Sequence, residues 1–136
     1  MQPGNIYFHK DFVFSDGAQK DKYLVVIGAS EKVLVVAKTT SKSHHYRLDF
    51  GCQSGNRYPA FYLPTGSCCF KLPTWVCLNE FYELDKTLLM GKLYSGEARG
   101  FGQIGKHTRD IQFCAKDCDD ITMFQESIVN GSLVPP

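Results

Sequence analysis

Residues 38–47 place hydroxyls, imidazoles and cations in one short segment directly after an apolar stretch. Residues 33–37 read VLVVA, and the next ten residues read KTTSKSHHYR. Lysine and arginine attract anions, threonine and serine hydroxyls form hydrogen bonds with them, and imidazole exchanges protons near neutral pH. A strand that ends in such a segment either runs out into solvent or carries an anion-binding site at its end.

The elements that would position this segment belong to one folded domain. The chain has 136 residues, of which 43% are hydrophobic and 13% aromatic, and such values are typical of a globular protein. No apolar run reaches the roughly 20 residues that span a bilayer. The first residues, MQPGNIYFHKD, lack the basic and apolar regions of a secretory signal. We therefore expect a single cytoplasmic domain over residues 1–136, with no membrane partner.

Short β-branched and aromatic runs, separated by turn residues, predict a mainly β protein. The runs YLVVI at 23–27 and KVLVVAK at 32–38 predict a hairpin. Short apolar stretches at 5–9 and 12–14 precede it, with a loop over 15–21. Further strands are predicted over 45–50, 60–63, 68–72, 75–78 and 81–84, with a loop over 51–59. This pattern is typical of a small barrel or sandwich.

The C-terminal part of the chain changes to helical periodicity. The glycines of GEARGFGQIGK at 96–106 predict a flexible connection. Between residues 111 and 128 the apolar residues recur at helical spacing, which predicts one long helix or two helices broken near 117–120. Thr108 is the expected N-cap and Asn130-Gly131 the expected end. The apolar stripe should pack on the sheet.

The six cysteines have no spacing that predicts a known site. They are Cys52, Cys68, Cys69, Cys77, Cys114 and Cys118. Without a secretory signal we expect reduced thiols, which act as small buried apolar residues. A zinc site formed by His44, His45 and some of the cysteines stays open as an alternative, although no CxxC pair is present.

Three stretches in the first 92 residues form an ordered series. The first is GNIYF at 4–8, which continues into DFVFSDG at 11–17. The second is KYLVVI at 22–27, and the third is WVCLNEFYELDK at 75–86. In order and spacing they resemble the opening strand, the Arg-Pro strand and the strand with a hydrophobic-Asp-Lys ending of the PemK/MazF family.

This resemblance implies a fold, an activity and partners. The fold is an SH3-like small barrel over residues 1–95 with a C-terminal helical segment over 107–130. The activity is cleavage of single-stranded RNA without metal or other cofactor, by attack of a ribose 2′-hydroxyl that leaves a 2′,3′-cyclic phosphate. The protein would be a homodimeric endoribonuclease toxin of a type II toxin–antitoxin system, held inactive by a cognate antitoxin protein.

The resemblance also implies site residues by position. Thr39, with Thr40 beside it, corresponds to the threonine that acts on the scissile phosphate. Lys22 stands where the family has the arginine, and Tyr23 where it has the proline. Lysine binds phosphate as a point charge without the planar fork of arginine. It could act as a general acid if neighbouring lysines lowered its pKa.

Other members of the family carry an Asp/Arg pair where this chain has Asn79 and Cys77. Since asparagine cannot take a proton at neutral pH, a proton acceptor must come from elsewhere. His44 or His45 could take the 2′-hydroxyl proton, although in a strand only one of them would face the site. Arg47 would lie on the same face as His45 in an extended chain and could replace the missing cation.

Further RNA contacts are expected from side chains around these positions. They are Lys20, Lys38, Thr40, Lys42, Arg57 and Asn79. One or two of the tyrosines at the open end of the barrel could stack unpaired bases. The alternative is a solvated rim of lysines, hydroxyls and exposed loop histidines. The chain would then be a catalytically inactive SH3-like barrel that binds RNA or a protein partner.

Overall fold

The two longest apolar runs of the sequence become adjacent strands at the centre of the sheet. In this computed structural model, which describes residues 1–136, β2 (Gln19–Ala29) and β3 (Val33–Thr40) form the expected antiparallel hairpin. Their side chains alternate between two apolar clusters, with Val25 in one and Val26 in the other. Because both faces of the hairpin are buried, apolar residues fill consecutive positions.

The sheet contains eight antiparallel strands. The other six are β1 (Asn5–Val13), β4 (Gly51–Cys52), β5 (Ala60–Leu63), β6 (Thr74–Cys77), β7 (Tyr82–Asp85) and β8 (Ala98–Gln103). Their order is β4-β5-β6-β3-β2-β1-β8, and β7 pairs with β3. One edge of β3 pairs with β2, whereas the other pairs first with β7 and then with β6. With 35% strand and 23% helix, the predicted mainly β class is confirmed.

Three α-helices pack on this sheet. They are α1 (Lys86–Ser95), α2 (Thr108–Lys116) and α3 (Met123–Gly131), and a 3₁₀ turn over Gly105–His107 precedes α2. The pair α2 and α3 confirms the two-helix alternative, and both contribute to the larger apolar cluster. A Cβ on Gly28 of β2 would lie 3.0 Å from the backbone of Val129, so α3 packs at a distance that glycine permits. The longest helix has 10 residues, and none of the three combines the length and apolar character of a membrane span.

Some predicted elements are wrong because tertiary pairing overrides the local pattern. Residues 98–103, expected to be flexible, form β8 along the edge of β1, so the sheet extends beyond residue 95. The strands predicted over 45–50 and 68–72 are turns and bends. Part of each predicted loop is strand, since β2 begins at residue 19 and β4 lies within 51–59.

The end of α3 at Gly131 confirms the predicted stop at Asn130-Gly131, whereas the start of α2 differs from the prediction. Thr108 is the first residue of α2 rather than its N-cap, and its hydroxyl donates to the carbonyl of Gly105 at 2.7 Å. No helix is predicted from the sequence over 86–95, yet α1 spans these residues. Its N-cap is Asp85, whose carboxylate accepts from the amide of Leu88 at 3.0 Å. Asp85 thus has a structural role in the hydrophobic-Asp-Lys ending.

The expectation that all cysteines are reduced is wrong for one pair. Cys52 on β4 and Cys114 on α2 form a disulfide across a sequence separation of 62, with their Cα atoms 5.5 Å apart. Their proximity arises from tertiary packing, so neither spacing nor local pattern could reveal it. The remaining four cysteines are free thiols. No group of three or more His, Cys, Asp or Glu side chains is arranged to hold a metal ion.

Candidate functional site

A cavity of about 730 Å³ opens where the end of β3 meets the start of β2 and the end of β6. Five lysines line it, whereas Asp21 is the only carboxylate residue in the lining. The lysines are Lys20, Lys22, Lys38, Lys42 and Lys71. Hydroxyls of Thr39, Thr40 and Ser41 are also present. Such an excess of positive charge in a concave site attracts anions.

Hydrogen bonds connect the start of β2, at Lys22 and Tyr23, to Thr39 near the end of β3. The Lys22 Nζ donates to the carbonyl of Thr39 at 3.2 Å, and the Thr39 hydroxyl donates to the carbonyl of Tyr23 at 3.0 Å. Thr39 is only 5% exposed. The hydroxyl proton of Thr39 is already used in a hydrogen bond within the sheet. Toward a ligand, the hydroxyl oxygen of Thr39 therefore acts first as a hydrogen-bond acceptor.

The environment of Lys22 makes it a weaker base than an exposed lysine. Burial lowers the pKa of Lys22, and the positive charges of Lys38, Lys20 and Lys42 lower it further. The direction agrees with the sequence analysis, which expected these lysines to surround Lys22. Aromatic packing adds to the site, since the Lys38 Nζ lies 4.3 Å and the Lys22 Nζ 6.0 Å from the centroid of the Phe14 ring.

A buried thiol lies beside the lysines. Cys77 is 2% exposed, and its sulfur lies 3.4 Å from the hydroxyl oxygen of Tyr46. Burial raises the pKa of Cys77 more than Tyr46, Lys38 and Lys22 lower it. The group therefore stays a neutral thiol at neutral pH, which argues against a thiolate nucleophile. Tyr46 is held in place by its stacked contact with Trp75, with ring centroids 5.9 Å apart.

Both histidines of the HH pair line the cavity. They lie in a turn in which the amide of Tyr46 donates to the carbonyl of Ser43 at 2.9 Å. The rings of His44 and His45 are 4.4 Å apart, and that of His45 is also 4.5 Å from Tyr58. A strand would have directed only one imidazole to the site, whereas the turn brings both to it.

Arg47 lies outside the cavity lining. Its carbonyl accepts from the Trp75 indole at 2.9 Å and from the Gln53 amide at 2.7 Å, which fixes the backbone. Its guanidinium forms an ion pair with Asp49, and both side chains are about two-thirds exposed. The prediction that Arg47 shares a face with His45 is wrong because residues 45–50 are not extended.

The predicted RNA contacts divide into two groups. Lys20, Lys38, Thr40 and Lys42 line the cavity, whereas Arg57 and Asn79 do not. The exposed Arg57 lies over the ring of Tyr58, 5.7 Å from its centroid. Asn79 follows β6, and its buried side-chain oxygen has no hydrogen-bond partner.

The sequence analysis missed one wall of the cavity. Phe70, Lys71 and Phe101 contribute to the lining. Phe101 belongs to β8, a segment that is predicted to be a flexible connection because of its glycines. The signal that could have revealed β8 is the spacing of its large side chains, since Arg99, Phe101 and Gln103 alternate with Gly100 and Gly102.

Comparisons with protein-family models, curated proteins and solved structures find no match to this chain. The cavity combines cations, hydroxyls and two imidazoles with aromatic rings, of which that of Phe101 is exposed. This set of groups suits an anion that carries planar apolar groups and whose chemistry requires proton transfer.

Proposed function

We propose that this chain is a PemK/MazF-like SH3-type barrel that binds single-stranded RNA and cleaves it without metal. The observation that carries the proposal is the convergence of five lysines, with Thr39 and both histidines, on one cavity. A nucleic acid backbone supplies a negative charge at every phosphate, and lysines that neutralise phosphates provide most of the affinity of such complexes.

In the proposed reaction, His44 or His45 takes the proton from the ribose 2′-hydroxyl. The 2′-oxygen then attacks the phosphorus, and the bond from phosphorus to the 5′-oxygen of the next nucleotide breaks. The Lys22 ammonium gives its proton to the leaving 5′-oxygen, and the lowered pKa of Lys22 favours this transfer. The products are a 2′,3′-cyclic phosphate and a 5′-hydroxyl, with no water consumed.

The remaining groups would position and stabilise the phosphate. The positive charges of Lys20, Lys38 and Lys42 would stabilise the negative charge that develops on the phosphoryl oxygens. Thr39 would act as a positioning residue, because its carbonyl accepts the hydrogen bond that orients the Lys22 Nζ. This role requires no hydroxyl proton from Thr39, which is consistent with the bond from Thr39 to Tyr23.

The test is incubation of the purified protein with single-stranded RNA of mixed sequence in the presence of EDTA. We expect fragments that end in 2′,3′-cyclic phosphate, and no cleavage of an all-2′-deoxy strand. Lys22→Gln and the double variant His44→Gln/His45→Gln should each lose cleavage, whereas Lys106→Gln, an exposed lysine outside the cavity, should retain it. Intact RNA with wild-type protein would rule out the cleavage mechanism.

A second candidate function is RNA binding without cleavage. Two observations favour it: no arginine lines the cavity, and the Thr39 hydroxyl donates its hydrogen bond to the carbonyl of Tyr23. Binding of RNA that stays intact, with cleavage absent also in Lys22→Arg, would support this function over the first. Cleavage that appears or rises in Lys22→Arg would show that the remainder of the site is competent.

The proposal extends to a toxin role, in which the chain forms a homodimer and a cognate antitoxin restrains it. The support for these partners is the resemblance in residues 4–17, 22–27 and 75–86. Sedimentation of the purified chain should give twice its mass of 15.3 kDa. Expression in growing cells should fragment RNA and arrest growth, and the Lys22→Gln variant should do neither.

A further inference from the structure

A row of side chains leads from the cavity across the sheet to its β8 edge. In the strand registers, Phe8 of β1 pairs with Tyr23 of β2 on one side and with Arg99 of β8 on the other. Paired residues of antiparallel strands share a face. The rings of Phe8 and Tyr23 are accordingly 5.2 Å apart, and the Arg99 guanidinium carbon lies 4.5 Å from the centroid of Phe8.

Phe101 completes this row at a bulge between β1 and β8. The register shift between Ile6 and Tyr7 leaves Phe101 without a paired residue. The Phe101 side chain is 38% exposed, and its ring lies 4.6 Å from Tyr23 and 5.5 Å from Phe70. Bulges re-aim side chains, and this one directs Phe101 to the cavity.

We propose that Phe101, supported by Tyr23, stacks a nucleobase of single-stranded RNA beside the phosphate held by the lysines. Arg99 then binds the next phosphate along the strand. This inference rests on the proposed function and names the base and phosphate subsites that extend it.

Two features of the molecule favour single-stranded RNA as the occupant. The aromatic rings are continuous with a cavity whose lysines complement a polyanion, and Arg99 has no carboxylate partner. Unpaired bases present their faces to aromatic side chains, whereas the bases of a duplex are already stacked on one another.

The experiment compares two polyanions, a short single-stranded RNA with methylated 2′-hydroxyls, which cannot be cleaved, and inorganic polyphosphate, which carries phosphates but no bases. Phe101→Leu keeps an apolar contact with Tyr23 and Phe70 but removes the flat ring. It should weaken RNA binding roughly 5- to 150-fold without changing the salt dependence, and it should leave polyphosphate binding unchanged. Phe101→Tyr, which keeps the ring, should bind RNA like wild type.

Arg99→Gln provides an independent measurement on the same row of side chains. Loss of one phosphate contact should bring the slope of log K against log salt concentration closer to zero by about 0.7 for a single strand. An unchanged slope would overturn the phosphate role of Arg99.

The outcomes separate this inference from the proposed function. RNA binding by Phe101→Leu at wild-type strength would overturn the stacking role while the lysine cavity remains supported. Equal losses of RNA and polyphosphate binding in Phe101→Leu would also overturn it, because the effect would then be structural. Failure of the wild-type protein to bind either polyanion would overturn the proposed function together with this inference.

Discussion

Replacement of Lys22 by glutamine should remove one contact between the protein and an RNA phosphate. The affinity for RNA should then depend less steeply on salt concentration. Each phosphate neutralised on a single strand contributes about 0.7 to the slope of log K against log salt concentration. Five lysines line the cavity. If all five neutralise phosphates, they contribute about −3.5 to the wild-type slope, and this contribution lowers affinity roughly a hundredfold between about 50 and about 200 mM salt. Lys22→Gln should bring the wild-type slope closer to zero by about 0.7.

The assay is fluorescence anisotropy, at neutral pH over a series of salt concentrations, of a labelled single-stranded RNA whose 2′-hydroxyls are methylated so that it cannot be cleaved. Lys106→Gln is the matched control, because it makes the same change of charge at an exposed position outside the cavity. We expect its slope to equal that of wild type. Equal shifts in both variants would mean that general charge, rather than the cavity, governs binding. An unchanged slope in Lys22→Gln would refute the assignment of Lys22 to a phosphate.

Three further predictions concern stability. In the chain-entropy estimate, the Cys52–Cys114 disulfide, with its separation of 62 residues, contributes about 4 kcal/mol. Urea unfolding should therefore show a loss approaching this value in Cys52→Ser, and none in the exposed Cys69→Ser control. Because the pKa of Lys22 is lowered, the unfolded chain binds more protons than the folded protein between that pKa and 10.5. The unfolding free energy of wild type relative to Lys22→Gln should rise with pH through this window, and a flat difference would contradict the shift. The fully buried Gln112 bonds two backbone carbonyls and one amide, so Gln112→Leu should cost about 1–3 kcal/mol for each group left buried and unpaired, measured by urea or thermal unfolding.

The positive charges that line the cavity repel one another and destabilise the folded protein. Lys22 is half-buried among like charges, and only the carbonyl of Thr39 accepts a hydrogen bond from its ammonium. Such an arrangement weakens the folded state in the absence of ligand and is typical of sites where an anion completes the charge balance. Lys22→Gln should therefore lower RNA affinity without lowering the stability of the free protein at neutral pH.

Local patterns in the sequence determined the central hairpin and the helical character of the C-terminal segment, whereas the structure decided between one helix and two. The consecutive apolar residues of 23–27 and 33–37 have no stable place except in strands buried on both faces. The helical spacing of apolar residues over 111–128 likewise predicts helix with one apolar face, and this face packs in the larger apolar cluster. The polar segment 38–47 also marked the end of β3 as a candidate site, and most of its side chains line the cavity.

Only the tertiary structure decided which side chains meet there. The glycine-rich residues 98–103 become a strand because β1 supplies their hydrogen-bond partners, and this pairing brings Phe101 to the cavity. The backbone of Arg47 is held by the nearby Gln53 and by Trp75, which is 28 residues away in sequence, and its side chain lies outside the cavity. Strand pairing and side-chain packing between distant residues leave no periodic signal in one sequence, and these are the contacts that formed the site.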